Sequence, residues 1–277
     1  MKILENNSKI DDFLSKIRKK DQKIGLIPTM GSIHQGHLSL IEECKKLGYF
    51  SLVTIFVNPT QFDETDDYDQ YPRNRSQDIK FLDKIHTDLL FFPSAEDLYP
   101  FGIHSKKTIL NYRNILCDKF RPGHFDGVTT VVNSLFNLIN PDHVFFGEKD
   151  FQQLKLIEKI IESNNFPILI HPCVSIRMPN GMSFSSRYNN FNSLQEKIFD
   201  NAASKIMVSL SELKIKVDVK MVEKLKKQLK EININEIDYL EIREENNLLP
   251  SVENKNSRLF LAFHIGDIRI VDNFILY

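Results

Sequence analysis

Ile27-Pro28-Thr29-Met30-Gly31-Ser32-Ile33-His34-Gln35-Gly36-His37-Leu38 is the stretch on which the reading of this chain turns. Residues 24–27 are short and apolar enough for a buried strand, and Pro28 and Gly31 punctuate its end. Beyond Gly36, the apolar Leu38, Leu40, Ile41 and Leu47 recur at roughly helical spacing. Two histidines three positions apart therefore stand at a strand-to-helix turn. Free backbone N–H groups and the positive end of a helix dipole make such a turn a good place for phosphate. A metal pair is the other reading of HxxH. Ligands on one helix face more often stand at i, i+4, and no neighbouring Cys or carboxylate completes a set.

The rest of the chain gives this turn an α/β setting. Residues 51–57, 89–92, 143–146 and 168–174 read as further buried strands, alternating with helices around 79–85, 128–139 and 151–161. Near-continuous apolar strands separated by helices predict a Rossmann-like parallel sheet covered on both faces, with ligands at the carboxyl ends of its strands. The motif-like segments 28–37, 58–62 and 147–153 all follow strands. After residue 175 the pattern changes: helices over 194–210 and 219–229 precede short strands over 237–242, 259–264 and 268–274. The expected organisation is a Rossmann-like domain over 1–175 and a smaller α+β lid domain over 176–277, with a hinge near Met178-Pro179-Asn180-Gly181.

Composition narrows the function classes. The chain has 277 residues, 42% of them hydrophobic, and 36 Lys+Arg against 37 Asp+Glu. A net charge near zero offers nothing to nucleic acid or to a membrane surface. No apolar run approaches a bilayer-spanning length, and the first residues lack a signal-peptide pattern. Cys44, Cys117 and Cys173 are widely spaced and form no CxxC pair, which suits a reducing cytoplasm.

Several segments offer chemistry. Asn58-Pro59-Thr60-Gln61-Phe62 ends a strand with amides that suit a small polar substrate, although Asn-Pro is also an ordinary turn. Arg121 lies in a glycine-flanked loop before a helix, suited to a carboxylate or phosphate or simply to solvent. In Gly147-Glu148-Lys149-Asp150, glycine admits a phosphate to the backbone and Lys149 neutralises it as a helix begins. Ser183-Phe184-Ser185-Ser186-Arg187 supplies hydroxyls and a cation in a turn-flanked segment, as a lid over polyphosphate or as a serine-rich linker. His264-Ile265-Gly266-Asp267 looks like a broken HIGH motif, but it ends a strand and opens a hairpin turn. The HxGH turn itself resembles the signature of the nucleotidylyltransferase superfamily, shared in variant form by class I aminoacyl-tRNA synthetases.

In order along the chain, PTMGSIHQGHLSL, FVNPTQF, YPR, RPGHFDGV, FFGEKDFQQL and SSR resemble the pantoate–β-alanine ligase family, and DYLEI with the final strand pair is similar to its small domain. That resemblance implies a two-step ligation. Pantoate and ATP give pantoyl adenylate and pyrophosphate, and β-alanine then gives pantothenate and AMP. By resemblance, His34, His37 and Lys149 are catalytic, contacting phosphate, and His37 is the family's proton donor. Met30, His34, His37, Gly147, Lys149, Asp150, Ile176, Ser185, Ser186 and Arg187 are implied to bind ATP. Gln61, Gln153, Asn58 and Arg121 are implied to bind pantoate or β-alanine. Mg2+ is expected on the phosphates, with Asp78 as an additional candidate ligand, and the partners expected are the small-molecule substrates and a second copy in a homodimer. Phe184 and Tyr188 depart from the Met and Asn usual in the family's lid motif. The rival readings are another HxGH nucleotidylyltransferase with a different small acceptor, and a silent nucleotide- or RNA-binding module.

Overall fold

The computed structural model describes residues 1–5, 7–62, 68–69, 71–102 and 108–277. β1 (Lys2–Leu4), β2 (Ile24–Thr29), β3 (Phe50–Ile55), β4 (Leu89–Phe91), β5 (His143–Gly147) and β6 (Leu169–Cys173) form one sheet in the order β1-β4-β3-β2-β5-β6. Every neighbouring pair is parallel. The crossovers carry α1 (Asn7–Arg18), α2 (Gln35–Lys46), α3 (Arg75–Lys84), α4 (His124–Ile139) and α5 (Phe151–Ser163). Ile24, Leu26, Ile27, Leu52, Val53, Leu89, Leu90, Phe91, Val144 and Phe145 are fully buried, the unalternating burial of a sheet covered on both faces. Each such side chain contributes about 1.5–3 kcal/mol by leaving water.

Strand order locates the binding edge. From the central β2 the chain moves outward through β3 to β4, then returns to lay β5 on β2's other side. The order reverses between β2 and β5, and a crevice opens outside the carboxyl ends of strands at such a point. Met30 directly follows β2, and Gly147 ends β5. β2 runs two residues beyond the expected 24–27, through Pro28. A proline is tolerated because β5 pairs only Gly25 and Leu26, so its missing N–H falls past that ladder.

The chain divides into two compact units. One comprises Met1–Arg113, Arg121–Glu148 and Gln153–Val174, and the other Asn114–Phe120, Lys149–Gln152 and Ser175–Tyr277. In the second, β7 (Ile237–Glu244), β8 (Ser257–Ile265) and β9 (Ile268–Ile275) form an antiparallel sheet packed by α6 (Ser193–Ile215) and α7 (Val219–Lys230). Its core includes Met182, Ala202, Ala203, Ile206, Leu225, Leu229, Leu259, Leu261 and Ile270. Gly266, at φ +59, turns β8 into β9, as a type II′ hairpin requires. The sequence 264–267 is therefore hairpin, with no helix behind it. Met178-Pro179-Asn180-Gly181 is a closed turn rather than a hinge. Gly181 N–H donates to Met178 O at 2.9 Å and Met178 N–H to Met182 O at 2.7 Å, inside the second unit.

Candidate active site

The turn after β2 is held from beneath. Gly31 (φ +86) and Ser32 (φ +52) both adopt left-handed backbone, which is uncommon for serine. Asp78 of α3, 3% exposed, compensates: its Oδ2 accepts Ser32 N–H at 3.0 Å and its Oδ1 accepts Ile33 N–H at 2.7 Å. A Cβ at Gly31 would meet that Oδ2 at 3.0 Å. Asp78 thus engages the turn with both oxygens.

The two histidines cap α2. His34, extended at φ −138, is the N-cap, and its Nδ1 accepts Gly36 N–H at 3.1 Å. His37 reaches back so that its Nδ1 accepts His34 N–H at 3.3 Å. This is a capping box made from two imidazoles. Because each Nδ1 accepts, the neutral ring in each case carries its proton on Nε2. The rings lie 4.1 Å apart, presenting two N–H donors beside the N-terminus of α2. A Cβ on Gly36 would come within 2.9 Å of the His34 ring, which explains the glycine of HxGH. Metal ligation through Nε2 would require the other tautomer and break the caps. Among the described residues no third ligand completes a site there, and the one such group is Glu236, Asp238 and His264 in the second unit. Asp238 already accepts Arg269 Nε at 2.6 Å.

The β3 turn places Gln61. Asn58, 1% exposed, donates from Nδ2 to Gln61 Oε1 and Gly127 O, both at 3.1 Å. Its Oδ1 accepts Thr60 N–H, Thr60 Oγ1 and Tyr99 OH. With both ends of its amide engaged, Asn58 orients Gln61 from behind. Gln61 Nε2 in turn donates to Met30 Sδ at 2.9 Å, joining the β3 turn to the β2 turn. Gly127 lets α4 approach closely, since a Cβ there would sit 2.2 Å from Thr60 O. Arg121 Nη2 donates to Gln61 O at 3.4 Å, so this sequence-predicted residue is brought to Gln61. His124 Nδ1 also donates to Gln61 O, at 2.6 Å. His124 is not singled out by the sequence, although it stands between Arg121 and a helix start.

A family model described as pantoate-beta-alanine ligase matches residues 2–275. The chain belongs to that family. Pantothenate synthetases from Sulfurihydrogenibium sp. (strain YO3AOP1) and Endomicrobium trichonymphae are 38% and 39% identical to it, covering 99% and 100% of this chain and 99% and 98% of theirs. Among solved structures, the Thermus thermophilus pantothenate synthetase superposes with a TM-score of 0.89 at 29% identity, covering all of both chains. The Francisella tularensis pantoate-beta-alanine ligase, solved as a complex with beta-gamma ATP and beta-alanine, gives 0.84 at 34% identity, covering 100% of this chain and 98% of that one.

The remaining pantoate-beta-alanine ligase motifs are distributed between the units. Gly147 ends β5 with open space where a Cβ would lie, and Gln153 on α5 is half-buried. Gln152 is buried instead, accepting Cys117 N–H and donating to Ile115 O, so the adjacent glutamines have separate tasks. In the second unit Lys149 Nζ stands 3.6 Å from Asp150 Oδ1. Ser185 caps a 3-10 turn over Ser186–Asn190, its Oγ accepting Arg187 N–H at 3.3 Å. Ile176 is exposed, while its carbonyl accepts Phe184 N–H at 3.3 Å. Tyr188 packs its ring on Phe191 and Phe199, so the departure from the family's Asn becomes part of the core edge.

Proposed function

We propose that the protein ligates pantoate and β-alanine to pantothenate at the expense of ATP, through pantoyl adenylate. The observation that carries this reading is the imidazole capping box, which sets the proton of both rings on Nε2 beside a helix N-terminus while Gln61 is oriented at the next strand end. It is supported by full-length kinship with pantothenate synthetases and by the ATP and beta-alanine of the Francisella complex.

In the first step a pantoate carboxylate oxygen attacks the α-phosphorus and pyrophosphate leaves. The carboxylate is already ionised at neutral pH, so positioning and charge stabilisation are what the protein supplies. His34 and His37 donate to phosphate oxygens as negative charge accumulates. Met30, Gly147, Asp150 and Ile176 receive the nucleoside, and Lys149, Ser185, Ser186 and Arg187 bind its phosphates. Gln61 and Gln153 hold pantoate, with Asn58, Arg121 and His124 fixing Gln61. In the second step the neutral amine of β-alanine attacks the acyl carbon, the C–O bond to AMP breaks, and the amine's proton passes to solvent. Mg2+ enters as the counterion of ATP. With both Asp78 oxygens engaged, it is held by phosphate rather than by a protein cage.

We further propose a cytoplasmic homodimer. Three free thiols support the compartment, two of them, Cys44 and Cys173, pushed by burial up to about 12 and so inert at neutral pH. Among the described residues no helix is long and apolar enough to cross a membrane. Incubation with MgATP, pantoate and β-alanine should release AMP only when all three are present. A folded protein that binds ATP yet makes no AMP would overturn the reading.

A further inference from the structure

Two consecutive residues of β9 face opposite sides of their sheet and hold different stretches of backbone in the second unit. The Asp272 side chain is wholly buried and accepts Ser183 N–H at 2.8 Å. It also pairs with Arg177 Nη1 at 3.2 Å. The same guanidinium donates to Gly181 O at 2.9 Å and to Asn273 O at 2.7 Å, so the hairpin formed by 176–184 is tied to β9 at both of its strands. Ser183 Oγ and Tyr188 OH are buried and find no hydrogen-bond partner among the described residues. Ser183 is therefore held by its backbone bond to Asp272 and not by its own hydroxyl. Burial raises the Asp272 carboxyl above the usual carboxylate range, opposed by the nearby charges of Arg177 and Lys149.

Asn273, 2% exposed, does the same on the other side. Its Nδ2 donates to Lys149 O at 2.8 Å, and its Oδ1 accepts Arg258 Nη1 at 2.9 Å. Arg258 is fixed by Glu245 at 2.6 Å and lies 4.1 Å over the Phe151 ring. An amide locked in this way cannot rotate away from the Lys149 carbonyl without leaving a buried group unpaired.

We infer that Asp272 and Asn273 are positioning residues for ATP, one holding the segment that ends in Ser185-Ser186-Arg187 and the other holding Lys149. The inference rests on the proposed ATP-binding role of those residues. Its kinetic signature is selective. Loosening either backbone misplaces phosphate-binding groups and leaves Gln61 and Gln153 untouched.

The test uses Asp272→Asn, which keeps an acceptor for Ser183 N–H but removes the charge opposite Arg177. It also uses Asn273→Asp, which keeps the acceptor for Arg258 but sets a carboxylate against the Lys149 carbonyl. Substrate dependence and amide hydrogen exchange are measured on the full-length protein. The expected result is a rise of roughly tenfold in KM for ATP, the size set by one lost charge-assisted bond. KM for pantoate and β-alanine should stay within about twofold by the same reasoning. Exchange should accelerate in 176–187 for the first variant and in 148–152 for the second. Unchanged KM for ATP in both variants, or all three KM values rising together, overturns the inference. Should Asp272→Asn fail to fold, Arg177→Lys replaces it, with the same expectation for 176–187. If the wild-type protein makes no AMP, the functional reading has failed. The exchange data then still decide whether β9 holds the two segments.

Discussion

His37 Nδ1 accepts the backbone N–H of His34 at 3.3 Å, while His34 Nδ1 accepts Gly36 N–H, so each imidazole caps the helix through Nδ1 and carries its proton on Nε2. One pair of bonds sets helix start and tautomer together. On the proposed role of His37, His37→Ala should slow adenylation by about 100- to 1,000-fold, as the loss of other oxyanion donors does. His37→Asn keeps a cap acceptor without reproducing the Nε2–H. It should recover stability but not rate. Single-turnover formation of pantoyl adenylate, alongside thermal unfolding, separates the two.

Gly36→Ala brings a methyl within 2.9 Å of the His34 ring and pushes the ring from its cap. The expected outcome is a stability loss of about 1 kcal/mol, the usual worth of an N-cap, with a much larger fall in turnover. Denaturant unfolding and steady-state rates measure both. Equal losses in stability and rate, in free-energy terms, would contradict the assignment.

Asp78→Ala leaves two turn amides without acceptors in a buried setting, at about 1–3 kcal/mol each. Stability should fall by the same amount with and without Mg2+. A loss seen only in Mg2+ would make Asp78 a cation ligand after all.

His143 and His171 predict a pH dependence of stability. Their rings share an N–N contact of 3.0 Å, and His143 stacks on Tyr49 while His171 stacks on Phe145. Burial depresses both imidazoles below 6.5, with the neighbouring His171 adding to the effect on His143. Of the charges around them, Asp142 and Glu43 oppose the depression and Lys23 favours it. The unfolded chain therefore binds protons first as pH falls. Stability is highest above about 6.5 and declines as pH drops from there toward the folded-state values. His143→Phe keeps the stack on Tyr49 and should flatten this slope in urea unfolding between pH 7 and 5.

Much of this was legible in the chain. Most strands announce themselves by unbroken apolar runs, and the Gly31, Gly36 and Gly147 positions mark the turns. The exception is β6, expected to be buried: as an edge strand it exposes Leu169 and Pro172 and buries only Cys173. β1 and α1 went unread because a three-residue edge strand carries little pattern, although Ile10, Leu14 and Ile17 do recur at helical spacing. Asp78 enters the sequence reading only as a candidate cation ligand, and its hold on Ser32 and Ile33 spans more than forty residues, beyond any local signal. The imidazole capping box was hidden because capping signatures are written for Ser, Thr, Asp and Glu. The segments 114–120 and 149–152, which cluster with the second unit, carry no change of composition to mark them.

The most direct test of the central claim follows an oxygen atom. Pantoate labelled with 18O in its carboxylate is incubated with MgATP, β-alanine and the protein, and the AMP is analysed by mass spectrometry. Attack of that carboxylate on the α-phosphorus predicts AMP carrying one 18O for each pantothenate formed. Unlabelled AMP, or label in inorganic phosphate with ADP as the nucleotide product, would contradict it.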